Sequence, residues 1–390
     1  MNSSASSAQG SSAHQVTFIH SSDLQLGMKR AFLDADAQSR FDDARIRSVQ
    51  RLGELARERD AEFIVVAGDV FEHNSLDRRT TGRALEAFAK LPVPVYLLPG
   101  NHDPLVADSI FQRTVRLDNV TVLDSFEPVQ VREGVELLGA PLVAKYATED
   151  LVAKALRNVA PTDNIRIMVG HGQVEAYSSE RSADLIDLPN VEAHLADGTI
   201  DYLALGDTHS TASLGSSGRV WFSGAPETTD FQDHTPGTAG GETDSGNTLV
   251  VTLNKESINV EPVPVGTWVF DALYWQVTDM DDVERLLAEL EAYENKSRTV
   301  IKYALSGTLG LEATRRLEEG LDKLEPVFAA LYERTRLMDL HLEPGEDELT
   351  ALPLTGFARS AMSELAQSAG QQDPTARDAV NLLFRLSQEG

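Results

Sequence analysis

Five short runs constrain this chain more than anything else in it: Val16–His20, Phe63–Ala67, Val95–Leu98, Ile165–Val169 and Tyr202–Leu205. Each is four or five residues long and almost continuously apolar, without the alternation of a half-solvated strand. Strands that read this way are buried on both faces, as in a sheet covered by helices. Amphipathic stretches lie between them. Phe41–Arg59 repeats apolar residues at three- and four-residue spacing (Val49, Leu52, Leu55, Ala56), and Arg79–Lys90 and Glu149–Val159 fit similar helices. Alternating strands and helices of this kind predict an α/β layered domain.

Past Tyr202 the pattern changes. Strands expected around Trp221-Phe222, Thr248–Leu253 and Ile258–Val260 have no helices between them, which predicts an antiparallel part of the sheets. Asp233–Gly246, rich in Gly, Thr and Asp, reads as an exposed loop. Pro262, Pro264 and Gly266 mark a boundary. Beyond it a strand (Trp268–Val277), helix (Asp281–Asn295), strand (Thr299–Leu305), helix (Leu311–Tyr332) and strand (Leu337–Leu342) predict a small α+β unit. Two amphipathic helices close the chain, one with Leu354, Phe357, Ala358, Ala361 and Leu365 on a stripe, the other with Ala376, Val380 and Leu383. Over 390 residues the expected organisation is therefore a disordered tail at 1–14, a main domain at 15–265, the small unit at 266–343 and a helical segment at 344–390.

Polar residues gather where the five strands end, the edge at which open α/β sheets place ligands. They are Asp23 and Gln25 after the first, Gly68-Asp69 after the second and Gly100-Asn101-His102-Asp103 after the third. Gly170-His171 and Gly206-Asp207-Thr208-His209 follow the fourth and fifth. Taken singly, each is ordinary turn or cap chemistry, and a lone histidine is usually a satisfied structural one. Five in succession at one edge are not explained that way. Carboxylate, amide and imidazole together suit Mn, Fe or Zn, and glycine before four of the groups lets the backbone turn sharply off the strand.

Composition narrows the function classes. Asp and Glu outnumber Lys and Arg by 61 to 34, a net charge of −27, whereas proteins that hold duplex DNA by neutralising phosphates are usually basic. The acidity argues against a DNA-binding scaffold more than against a nuclease, because a metal can supply local positive charge. Cysteine is absent, which removes disulfides, thiolate metal sites and cysteine nucleophiles. No run of 18 apolar residues is present, so no membrane span is expected. The Ser- and Ala-rich start has neither a basic nor an apolar signal region, and a cytoplasmic location is the expectation.

The ordered motifs G-D-x-x (Gly68–Phe71), G-N-H-D (Gly100–Asp103) and G-H (Gly170-His171) resemble those of the calcineurin-like metallophosphoesterase superfamily. Within it the chain resembles the SbcD-type DNA repair nucleases. The resemblance covers Val16 to Val265 by motif and, more loosely, a cap-like α+β unit and the helical end. It implies a layered sandwich with mixed sheets and two divalent ions, Mn²⁺ first, with Mg²⁺, Fe²⁺ or Zn²⁺ as alternatives. Asp23 and His209 would hold one ion, Asn101 and His171 the other, and Asp69 would bridge them. His102, no ligand, would be the general acid or transition-state stabiliser. Two ions about 3.5–4 Å apart can clamp a phosphodiester and activate water, and a neighbouring histidine can protonate the leaving alkoxide. Two positions depart from the pattern: Gln25 replaces the histidine of D-x-H, and Asp207 the first histidine of G-H-x-H. Both can offer oxygen ligands. SbcD-type enzymes carry a histidine near the substrate after G-D-x-x, where Glu72 and His73 stand, and His73 reads as a bystander.

The resemblance implies a metal-dependent phosphodiesterase acting on DNA, a repair nuclease or exonuclease of the SbcD type. Alternatives are a phosphatase or small-substrate phosphodiesterase on the same scaffold, and a non-catalytic metal-binding scaffold for an ATPase. The extra cap-like unit and helices favour the nuclease, and intact Asp69, Asn101 and His102 disfavour the scaffold. Expected partners are DNA and an SbcC-type coiled-coil ATPase docking on the C-terminal helices. No membrane partner is expected, and a homodimer is compatible with the sequence.

Overall fold

A computed structural model describes residues 15–175, 182–237, 240–343, 345, 348, 352–370 and 373–388. The tail expected at 1–14 lies outside the described residues. The chain divides into two compact units. One comprises the N-terminal stretch to Arg30, Gln38–Thr229 and Glu242–Trp268; the other comprises Ala31–Ala37, Asp230–Gly241 and the chain from Val269 onward.

In the first unit two six-stranded mixed sheets form. The first is ordered β13 (Ile258–Pro264), β12 (Asn247–Leu253), β1 (Val16–Ser21), β2 (Phe63–Ala67), β3 (Val95–Leu98) and β4 (Val120–Val122). The second is ordered β5 (Pro128–Arg132), β6 (Val135–Gly139), β7 (Ile165–His171), β8 (Tyr202–Gly206), β10 (Val220–Phe222) and β9 (Ala212–Leu214). β1, β2, β3 and β4 run parallel, and β12 and β13 add the expected antiparallel edge. Successive strand residues face opposite ways. Phe18, Phe63, Val65 and Ala67 accordingly enter a core shared with Ile167, Val169, Tyr202 and Ala204 of the second sheet. Their neighbours Ile19, Ile64 and Val66 pack with Val49, Leu52 and Leu55 of α1 (Ala35–Glu58) and Ala84 and Phe88 of α2 (Arg78–Ala89).

Behind the second sheet, Met168, Leu203 and Leu205 pack with α3 (Leu151–Leu156) and α4 (Leu188–Ala196). The result is a helix–sheet–sheet–helix sandwich, and burial on both faces is why the strands carry no polar alternation. Phe18 stacks on Phe63 at 5.1 Å and meets Tyr202 edge-on at 5.7 Å. Each such fully buried aromatic side chain contributes about 1.5–3 kcal/mol. His20 ties the sheets together, since its Nε2–H donates to the Leu205 carbonyl and its Nδ1 accepts from the Tyr202 hydroxyl. Burial pushes this ring down to about 3, so it stays neutral.

The second unit is built on β14 (Val269–Val277), α5 (Met280–Glu291), β15 (Thr299–Leu309), α6 (Leu311–Leu324), β16 (Ala330–Glu333) and β17 (Asp339–Leu342). The ladders of β15 with β14, β16 and β17, and that of the short β11 (Gln232–Asp233) with β14, are parallel; α5 links β14 to β15 and α6 links β15 to β16. The helix expected over Leu311–Tyr332 stops at Leu324. Pro326 sits in a short 3-10 turn, where its missing N–H and ring bar a continuing helix, and Ala330–Glu333 pairs with β15 instead. α7 (Gly356–Ala369) and α8 (Pro374–Gln388) pack on Leu311 and Leu342. The face of α7 that packs carries Met362, Ala366 and Ala369, with Leu365 and, just before the helix, Leu354 partly buried, while Phe357 is 89% exposed. Phe357 therefore leaves the stripe expected for it: it lies roughly 120–180° around the helix from the buried row. No described helix is long and apolar enough to cross a membrane.

Candidate metal centre

The parallel strands deliver the site residues through turns that leave the sheets at unusual angles. Among the described residues, five non-glycine positions have positive φ, and four of them are Asp23, Gln25, Asp69 and Asp207; the fifth is Asp60. Left-handed backbone costs about 1 kcal/mol or more per residue and persists where the surroundings enforce it, commonly at functional sites. The enforcement is visible. The loops after β1 and β2 are zipped together by Asp23 N–H to Gly68 O (3.0 Å), Gln25 N–H to Asp69 O (2.9 Å) and Leu26 N–H to Val70 O (3.0 Å). Asp103 stitches the third loop to the second by accepting from the amides of Gly100 (2.8 Å) and Phe71 (2.9 Å). Burial and the nearby Asp69 push the Asp103 carboxyl up to about 7. Gly100 is obligatory, since a Cβ there would lie 2.1 Å from Asp69 Oδ1.

All eight residues singled out in the sequence fall into one connected set. Asp23, Asp69 and His171 are buried and offer ligand atoms within 4.8 Å of one another. His171 Nε2 lies 3.4 Å from Asp69, 2.8 Å from Asn101 Oδ1 and 3.8 Å from Asp207 Oδ1. The amide of Asp207 donates to both Asp23 oxygens at 3.2 Å. His209 Nε2 lies 3.8 Å from Asp23 Oδ1 and 3.4 Å from the Gln25 amide. His102 Nε2 lies 4.0 Å from Asp69 Oδ2, and its side chain is about one-third exposed. Among the described residues, His73 accepts from the Ser75 amide through Nδ1.

Backbone carbonyls set the ring tautomers. His171 Nδ1–H donates to Ala67 O (2.9 Å) and His102 Nδ1–H to Glu72 O (3.0 Å), which turns each Nε2 toward the cluster. Holding one ring nitrogen in this way is how proteins aim the other at a metal.

The residues fit a divalent cation on three counts. Buried carboxylates of like charge sit together without a Lys or Arg among the eight residues, an arrangement that is costly unless compensated. Gln25 Oε1 is buried with no hydrogen-bond partner. The carboxylates also draw positive charge toward the site. Burial opposes protonation of His171, but Asp69, Asp23 and Asp207 hold it well above the ordinary imidazole range. Burial likewise opposes protonation of His209, yet Glu242 and Asp23 push it up to about 8. Burial pushes Asp23 up, against the pull of His209 and His171. At Asp69, burial is outweighed by His171 and the His102 amide, which hold it low. Asp23, Gln25, Asp69, Asn101, His171, Asp207 and His209 are the residues that could hold metal.

Sequence reading missed four supports. The Glu72 carbonyl fixes His102, and Gln173 donates to the Asp207 carboxylate at 2.5 Å and to Thr208 Oγ1 at 3.3 Å. Thr229 and Glu242 hold the far side of His209. Most described residues of Asp233–Gly246 are exposed, as the loop reading expects, but Glu242 is the buried exception at 7%, and Asp233 pairs with Arg334 at 2.9 Å.

Residues 16–211, half of the chain, match the family model described as calcineurin-like phosphoesterase. Among the solved structures similar to the chain are two from different organisms. The protein TT1561 of Thermus thermophilus is 10% identical with a TM-score of 0.36, and a dimetal phosphatase from Danio rerio is 9% identical with a TM-score of 0.37. In each case 63% of this chain and 98% of the other are covered. No curated protein matches the chain.

Proposed function

The chain belongs to the calcineurin-like phosphoesterase family, and from that premise we propose that this hydrolase is a metal-dependent phosphodiesterase acting on DNA, a nuclease of the SbcD type. The observation that carries the reading is the buried Asp23–Asp69–His171 cluster with the accessible His102 beside it. In this reading Asp23, Gln25 and His209 would hold one ion and Asn101, His171 and Asp207 the other, with Asp69 serving both. Bound divalent ions would supply charge to clamp the phosphate and lower the pKa of water. Mn²⁺ is the proposed metal, because Asp207 and Gln25 replace imidazole with oxygen donors. His102 has its Nδ1–H committed to Glu72 O. Nε2 is therefore the atom that gives a proton to the leaving oxygen or donates to the charged phosphate.

Incubating the protein with Mn²⁺ and single-stranded DNA, duplex DNA or bis-p-nitrophenyl phosphate tests this. Cleavage of DNA is expected. Cleavage of the small diester alone would favour a small-substrate phosphodiesterase, and no cleavage of any substrate would favour the scaffold reading.

The proposal includes an SbcC-type ATPase docked on α7 and α8, which would bring the basic DNA surface that a chain of charge −27 lacks. Phe357, Leu382 and Leu386, exposed at 89%, 55% and 57%, support it. Changing all three to Asp is expected to abolish co-purification with the ATPase while hydrolysis of the small diester is retained. Loss of hydrolysis as well would show that these helices serve folding rather than docking.

A further inference from the structure

We propose that Glu242, acting through Thr229, is the positioning residue that presents His209 to the metal; this rests on the metal reading of the site. Hydrogen-bond directions lead to it. A carboxylate only accepts, so the Thr229 hydroxyl must donate across the 2.6 Å to Glu242 Oε2. With its proton committed, Thr229 Oγ1 can only accept from His209 Nδ1, 2.5 Å away. His209 therefore carries its proton on Nδ1 and turns a bare Nε2 toward Asp23 and Gln25. Carboxylate, hydroxyl, imidazole and ion form one chain, the outer arrangement that orients a ligating histidine and raises its basicity.

Two further observations show that the chain is built in. Glu242 accepts from the Thr229 amide with both oxygens, at 2.9 and 3.2 Å, which closes the two residues into a clasp. Arg45, fully buried, donates to Leu24 O (2.9 Å) and Thr228 O (3.1 Å). It ties the backbone that carries Asp23 and Gln25 to the backbone that carries Thr229. Thr229 and Glu242 are also the residues at which the first unit's chain leaves and returns around Asp230–Gly241. The clasp at the foot of that excursion is thus bonded to a residue of the metal centre.

The test uses full-length ¹⁵N-labelled protein. Long-range ¹H–¹⁵N spectra of metal-free protein, recorded at a pH where His209 is neutral, should show the ring protonated on Nδ1. Thr229→Ser should keep that tautomer, and Thr229→Val should lose it. Calorimetric titration with Mn²⁺ should find one of two sites weakened by roughly 10–100-fold in Glu242→Gln and Thr229→Val, the other unchanged, and near-normal binding in Thr229→Ser. A wild-type His209 protonated on Nε2, or a Thr229→Val protein that binds Mn²⁺ as tightly as wild type, would overturn the proposal. Failure of the wild-type protein to bind Mn²⁺ would instead sink the metal reading, and the tautomer alone would then decide the positioning role.

Discussion

His102→Asn is expected to lower turnover of a phosphodiester by roughly 10²–10⁴-fold while metal content stays at the wild-type level. The ring is oriented by Glu72 O, stands 4.0 Å from Asp69 and is the most accessible imidazole of the cluster. Asparagine keeps a polar side chain of similar reach but can neither carry nor deliver a proton. The fold should tolerate the change, because the His102 contact that anchors the loop is its backbone amide to Asp69 Oδ1 at 3.0 Å. Elemental analysis beside steady-state kinetics separates the two quantities. A variant that loses metal in proportion to activity would make His102 a ligand and remove it from the proton-donor role. The effect should also shrink for a substrate such as bis-p-nitrophenyl phosphate, whose leaving group needs little protonation.

Asp69→Asn should do the reverse and empty the site. Asp69 stands between the two halves of the cluster: it offers a ligand atom within 4.8 Å of those of Asp23 and His171, and its Oδ1 also takes the His102 amide. Replacing the carboxylate with an isosteric amide removes one negative charge from the place where both ions would be shared. Mn²⁺ affinity should fall by more than the roughly 10–100-fold lost with an outer partner, at both sites together. Activity should fall with it and return in part at high Mn²⁺. Calorimetry that found one ion lost and the other bound normally would show that Asp69 serves a single ion. The neutral Asn Oδ1 still accepts from the His102 amide, so the loop should keep its shape and circular dichroism should be unchanged.

The candidate site was legible because its signals are local. Gly68-Asp69, Gly100-Asn101-His102-Asp103, Gly170-His171 and Gly206-Asp207 each announce a strand end and a side chain in a few adjacent residues. Five parallel strands, β1, β2, β3, β7 and β8, were legible for a related reason: burial on both faces writes a continuous apolar run. β6 is buried as well but was not read, since Glu136 interrupts its apolar run. Elements that lack such signatures were not read. β5 is half-exposed and opens on Pro128, β4 is three residues long, and α4 is a nine-residue helix with a single fully buried side chain, Val191. The end of α6 was misplaced because the apolar residues after Pro326 continue its periodicity in sequence although they belong to β16.

The amino-acid order by itself determined which residues could serve as ligands and that five strand ends would carry them, since both follow from residue type and short-range pattern. Only the tertiary structure decided how each ligand is aimed. Ala67 O on His171, Glu72 O on His102, Gln173 on Asp207, and Thr229 with Glu242 on His209 are contacts across 20 to 104 positions of sequence. A backbone carbonyl or an ordinary threonine carries no mark in the sequence that it will meet a particular imidazole. That meeting depends on how two twisted sheets and their loops close around a core, where distance in space is no longer related to distance along the chain.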